Sequence, residues 1–280
     1  NYTPTDIAGQ LTHLTFKEVH GIDLKEGAAT IAWADKKLSM PRLALRTQHS
    51  TIQGHLHAQN IGTKDIAIDA DADVHLGYAD ARFLTERIDG IPQAFVHLYP
   101  TETLSASIAL QGSMKRLQLT RCHVSLPTAM DINVSGTAQE LASTTRRTAQ
   151  CHITAKTYDL DFLAALTDST MKRRITIPPH ITLQGDISYA PDTMHALCSL
   201  NIDKGIAILE GGYCPTSKAF ALYVQTDSLD LRQIAPDEGM GIVSLQAHIE
   251  GNSLDYRQKR TAIRGDMQLH SLQWGERTFT

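Results

Sequence analysis

The sequence predicts an all-β protein, an elongated, curled, repetitive sheet of short strands broken by brief helical stoppers. Three observations predict it. Apolar and polar residues alternate over stretch after stretch, which is the period of a half-buried strand. Turn signals return roughly every 8 to 12 residues, with no alternation of strand and long helix. A strand–stopper–strand unit also recurs, with its stoppers at Asp80, Asp161 and Asp230.

The clearest copy of that unit runs from Ala219 to Gly251. Ala219–Thr226 places Phe220, Leu222 and Val224 on one face. Asp227–Pro236 reads as one or two helical turns: the Asp227-Ser228 pair offers an N-cap, Leu231 and Ile234 lie three apart, and Pro236 stops the turn. Gly241–Gly251 alternates again, with Val243, Leu245, Ala247 and Ile249 inward. Matching strands follow the three stoppers: Ile108-Ala109-Leu110-Gln111-Gly112, Ile181-Thr182-Leu183-Gln184-Gly185 and Val243-Ser244-Leu245-Gln246-Ala247.

In chain order, Ile7–Leu11 leads to Leu14 and Phe16, and Gly27–Trp33 alternates weakly. Leu38–Met40 continues through Pro41 to Leu43 and Leu45. Proline cannot donate to a ladder, so Pro41 marks an edge or a bulge. Ile52–Ala58 alternates cleanly. Ile66–Leu76 is the longest alternation, with Ile66, Ile68, Ala70, Ala72, Val74 and Leu76 on one face and Asp69, Asp71 and Asp73 on the other. Further strands are expected near Ala94–Tyr99, Leu104–Gly112, Leu117–Cys122, Ile132–Gly136 and Cys151–Tyr158. Met194–Ile202 and Ile206–Tyr213 pair through the turn Asp203-Lys204-Gly205. The last strands lie near Thr261–Leu269 and Leu272–Phe279. Helix is expected only near 79–86, 159–170 and 229–235. One elongated repetitive domain is expected over 1–280, with loose repeats around 50–112, 117–185 and 195–251.

The composition supports an aliphatic interior, since 42% of the 280 residues are hydrophobic but only 6% are aromatic. A net charge of −4 and the lack of a basic stripe argue against a nucleic-acid partner. The densest basic run, Lys172-Arg173-Arg174, reads as a solvated loop closing the middle stopper. No apolar run of about 18 residues is present to span a membrane. The sequence starts Asn1-Tyr2-Thr3-Pro4, and Gln273–Thr280 reads as a strand cut mid-course, so a piece of a longer chain is expected. Cys122, Cys151, Cys198 and Cys214 are widely spread, which excludes a zinc ribbon and a dense disulfide scaffold but leaves a single bridge open.

No constellation of residues points to catalysis. Asp69, Asp71 and Asp73 alternate within one strand and cannot wrap a calcium ion as a loop does. His55 and His57 lack a third ligand at zinc spacing. No nucleophile elbow, metalloprotease motif or phosphate loop occurs. The expectation is therefore no catalytic residue, no metal and no cofactor. What remains is the apolar face, for which Ile66, Ile68, Val74, Ile108, Leu110, Ile181, Leu183, Phe220, Leu222, Val224, Val243, Leu245 and Ile249 are the candidate lining. Such a face either closes into a core or opens as a trough suited to acyl chains, which need apolar surface without hydrogen bonds. Periodicity leaves both open.

The order of motifs resembles the AsmA-like superfamily, and within it the TamB type. The carrying residues are Leu229-Asp230-Leu231 with Pro236, Val243–Gly251, Ser50–Leu56 and the late strands Leu269–Phe279. The resemblance implies long sheets curled into a taco-like groove with an apolar lining. It also implies a periplasmic body, tethered to the inner membrane by a segment outside this sequence. Phospholipid acyl chains are the implied partners, moved toward the outer membrane, together with outer-membrane β-barrel assembly proteins. A scaffold for such barrels and a closed β-sandwich or β-helix that binds carbohydrate are the competing readings. Only Trp33 and Trp274 supply the indole surface that carbohydrate sites favour.

Overall fold

The computed structural model describes residues 6–17, 23–88, 91–164, 166, 176–253 and 261–280. These residues form sixteen strands, which hold more than half of the chain. The all-β expectation holds. The chain divides into two compact units, Asn1–Arg147 and Thr148–Thr280.

Unit 1 holds β1 (Asp6–Lys17), β2 (Asp23–Ala34), β3 (Lys37–Thr47), β4 (Thr51–Gln59) and β5 (Ala67–Leu76). Helices α1 (Tyr78–Thr85) and α2 (Gln93–Leu98) follow, then β6 (Leu104–Ser113), β7 (Arg116–Leu126) and β8 (Met130–Gln139). Unit 2 holds β9 (Thr148–Thr157), α3 (Asp161–Ala164), β10 (Ile181–Ala190), β11 (Thr193–Ile202), β12 (Gly205–Tyr213) and β13 (Phe220–Asp230). Two 3-10 turns, Leu231–Gln233 and Pro236–Glu238, lead into β14 (Met240–Gly251), β15 (Ile263–Trp274) and β16 (Arg277–Phe279).

Each unit is an antiparallel meander in which strands pair with their chain neighbours. Among the described residues, no first-to-last pairing closes either sheet. Tight turns make the topology local. Asp35 and Lys36 both take positive φ, 46° and 62°, the type I′ geometry whose twist matches a hairpin. Asp203-Lys204 joins Ile202 to Gly205 as the sequence suggests, with Asp203 at φ 51°. Bulges interrupt the register, and each bends its strand and increases the local twist. One lies between Met40 and Leu43, where Pro41 cannot donate to the ladder. Another places Asp227 and Ser228 of β13 opposite Ser244 alone.

Helical inserts follow β5, β9 and β13, that is, every fourth strand. The turns of a meander alternate between its two ends. In unit 2, α3 and the 3-10 turns therefore share one end of the sheet. In unit 1, α1 and α2 stand at the end that carries the β3–β4 and β7–β8 turns.

Four expectations need correction. Ala94–Tyr99, expected as a strand, is helical through Leu98: α2 turns Phe95 and Val96 inward, both buried, and Pro92 precedes its first turn. Helix is therefore not confined to the three expected stretches. The N-cap of the last stopper is Asp230 rather than the Asp227-Ser228 pair, because β13 runs on through its bulge; the Asp230 carboxylate accepts the Arg232 backbone N–H at 3.1 Å. Pro236 opens the second 3-10 turn instead of ending the first. Leu272–Trp274 completes β15, and Gly275, at φ 60°, turns the chain into the short β16. The middle stopper, expected over 159–170, is described at 159–164 and 166, and Lys172-Arg173-Arg174 lies outside the described residues.

Candidate functional site

Residues directly opposite in an antiparallel pair share a face. In unit 2 the register therefore assembles one continuous apolar face. Ile153, Gly185, Cys198, Leu209, Val224, Ala247 and Met267 form one row across β9–β15. Ala155, Leu183, Leu200, Ala207, Thr226, Leu245 and Leu269 form the next. Leu222 pairs with Ile249, and Phe220 with Gly251. No charged strand residue falls on this face before Trp274.

Unit 1 is built the same way. Ile52, Val74, Ala106 and Val124 align, as do Gly54, Ala72, Ile108 and Cys122. Ala58 aligns with Ile68 and Gly112, and Leu56 with Ala70 and Leu110. Ile66 lies one residue before β5, where its carbonyl accepts the Met114 N–H at 3.1 Å. Gly112 sits at φ 129°, and a Cβ there would stand 2.1 Å from the Arg116 carbonyl oxygen, so only glycine fits this row.

The opposite face of each sheet is predominantly polar and laced by cross-strand pairs. Arg121 reaches over Ala109 to Asp71 at 2.6 Å and Asp73 at 3.7 Å. His123 meets Asp131 at 2.9 Å, His152 meets Asp186 at 2.8 Å and His195 meets Glu210 at 3.1 Å. The His123 ring holds the Asp131 carboxyl below its usual range. His55 and His57 belong to this polar face, where His57 Nδ1 lies 3.0 Å from Ser39 Oγ. Among the described residues, no group of three or more His, Cys, Asp or Glu is placed to hold a metal.

Burial distinguishes the two ends of the apolar face. At the insert-bearing end of unit 2, Ile202, Ala207, Leu229 and Val243 are buried and pack against Leu231, Ile234, Ile181, Leu200, Leu245 and Leu272. The 3-10 segment is pinned there: Gln233 donates to the Asp203 carboxylate at 2.6 Å, and Thr176 Oγ1 donates to the Gln233 carbonyl at 2.7 Å. Val243, one of the thirteen expected lining residues, is thus enclosed, at 3% exposure. Leu183, Phe220, Leu222, Val224 and Ile249, farther from that end, stay half-buried, and Ile108 in unit 1 is 44% exposed. The face is sealed at one end and open along its middle.

The seal of unit 1 is partly polar. Asp80, buried in the first turn of α1, accepts hydrogen bonds from Thr47 Oγ1 and, at 2.5 Å, from Ser50 Oγ. Ser50 Oγ in turn accepts the Gly77 N–H at 3.0 Å. Tyr78 and Tyr99 stack across α1 and α2 at 6.4 Å. The sequence marked Asp80 as a stopper, but its partners lie 30 and 33 residues away and left no local signal. Cys122, Cys151 and Cys198 sit on the apolar faces as small hydrophobes, and all four cysteines are free thiols.

No helix among the described residues is long and apolar enough to cross a membrane. Comparison with family models, curated proteins and solved structures finds no match.

Proposed function

We propose that this chain is a non-enzymatic segment of the AsmA-like, TamB type, whose apolar face carries phospholipid acyl chains through the periplasm between inner and outer membranes. One observation supports this above the rest: an uncharged apolar face, sealed at one end, keeps its mid-strand leucines, valines and isoleucines half-exposed where a core would bury them. Contiguous exposed apolar surface of this kind marks a binding surface. Acyl chains suit it because the face offers apolar area with few hydrogen-bonding groups. A second reading is a scaffold whose groove or sheet edge engages β-barrel precursors, supported by the same apolar face with its half-buried mid-strand residues.

The experiment compares Leu183→Arg, Val243→Arg and Gln246→Arg by circular dichroism and by photo-cross-linking to a phospholipid with a reactive acyl tail. Leu183→Arg keeps access to water, so it folds and loses cross-linking. Val243→Arg buries an unpaired charge and unfolds. Gln246→Arg, on the polar face beside Gln225 and Gln268, behaves as wild type. Unfolding of Leu183→Arg alongside Val243→Arg would mean a closed core and would end the lipid reading.

A further inference from the structure

At the end of unit 2 opposite the inserts, the apolar face finishes on a different kind of row. Tyr189 of β10, Met194 of β11, Tyr213 of β12 and Phe220 of β13 are successive register partners, so their side chains share that face. All four strands are paired on both sides. Only 6% of the chain is aromatic, yet three rings stand side by side here. The row spans about 14 Å, three strand spacings of about 4.8 Å each. Burial falls toward it: Ile202 and Ala207 at the sealed end are 6% and 8% exposed, whereas Met194 and Tyr213 are 40% and 37% exposed. The Phe220 ring lies across Gly251, where an added Cβ would stand 2.7 Å from its edge. Two turns carry the row, and Thr216 Oγ1 of the β12–β13 turn donates to the Asp192 carboxylate of the β10–β11 turn at 3.0 Å. Lys218 is exposed in the β12–β13 turn and makes no ion pair with a described residue.

Tyrosine rings, with an apolar body and a polar tip, suit the level where hydrocarbon meets water. From Tyr213 to the buried Ala207 are six residues of β12, about 20 Å at about 3.3 Å per residue. The hydrocarbon of one bilayer leaflet is about 15 Å deep, half of the ~30 Å core, so this depth takes an acyl chain at full length. We propose that the row is the headgroup lip of the acyl face. A phospholipid lies along the strands, with its ester level against Tyr189, Tyr213 and Phe220, its tail ends toward the seal, and its phosphate outside, paired with the Lys218 ammonium. The ammonium supplies a charge-assisted donor and the Tyr213 hydroxyl a second one. The reverse orientation would bring the charged phosphate against the buried Ile202, Leu229 and Val243, where desolvation opposes it. This rests on the acyl-binding reading above and adds the direction in which the lipid lies.

The test is positional photo-cross-linking of the full chain with two phosphatidylglycerol probes of identical chains, one with a diazirine beside the ester and one with it at the tail end. Peptide mass spectrometry maps the labels. The ester probe labels Met194, Tyr213 and Phe220, and the tail-end probe labels Leu200 and Leu245. Lys218→Gln lowers lip labelling by the ester probe severalfold, as the loss of an exposed ion pair does. It leaves labelling by the matching diacylglycerol, which has no phosphate, unchanged. Lys218 is exposed in a turn, so circular dichroism of the variant matches wild type. Equal losses for the two lipids, or no loss for either, would overturn the phosphate contact. The two readings fail separately. Labels that stay on the apolar face in reversed or even order remove the lip and keep the acyl face. Labels absent from that face with both probes remove both.

Discussion

Asp80 ties the β3–β4 turn to the start of α1 through one carboxylate. Its partners Thr47 and Ser50 lie in the β3–β4 turn, and Ser50 also holds the Gly77 N–H at the start of α1. Removing the carboxylate leaves the buried Ser50 hydroxyl and the half-buried Thr47 hydroxyl without their acceptor, and an unsatisfied buried group costs about 1–3 kcal/mol. Asp80→Ala is therefore expected to destabilise unit 1 by about 2–3 kcal/mol in urea unfolding, while Asp161→Ala, at an exposed position, changes little. Equal effects would show that the network does not hold the seal. Two other carboxyls set an acid limit. Asp131 beside His123 and Asp230 beside Arg232 are both held below the usual carboxylate range, each chiefly by its partner's hydrogen bond. The folded state thus binds these protons less readily than the unfolded one. The stability they confer is present above about pH 4 and is lost as pH falls through the lowered values. Asp131→Asn and Asp230→Asn should flatten the fall of melting temperature between about pH 5 and pH 3, and an unaltered slope would assign the acid sensitivity elsewhere.

Strands were legible in the sequence because alternation is a local property that the face of a sheet imposes. Ile66–Leu76 and Gly241–Gly251 could be read almost residue for residue. Where the reading failed, geometry overrode local pattern. Phe95 and Val96 are adjacent β-favouring residues, yet both are buried in α2, as a helix face wide enough for neighbouring positions allows. Asp227-Ser228 looks like a cap, but Ser228 takes φ 53° as part of a bulge, with its N–H donated to Ser244 Oγ at 2.9 Å. The bulge returns Leu229 to the apolar side, where it is buried. Its need is set by Val243 across the sheet, which no window on β13 contains. The candidate lining was legible as a face, but its division into a sealed end and an open middle was not. That division depends on which end of the meander each insert occupies.

Each unit is stabilised pair by pair between chain neighbours, so protection against unfolding should be graded. Edge strands such as β1 have one ladder where interior strands have two, and their apolar side chains are the most exposed. Amide hydrogen exchange is expected to slow from β1 toward β5 in unit 1 and from β15 toward β12 in unit 2. Uniform exchange across each sheet would indicate instead a single cooperative core. The same neighbour-only pairing, as in other stacked repeats, leaves the number of strands free to change during evolution. It does so under an arithmetic condition. Adding or deleting two or four strands ahead of an insert leaves that insert at the end it already occupies. An odd change moves it to the opposite end and obstructs what had been open. Lengthening such a sheet therefore proceeds by even counts, and in unit 2 the four-strand interval between α3 and the 3-10 turns satisfies that parity.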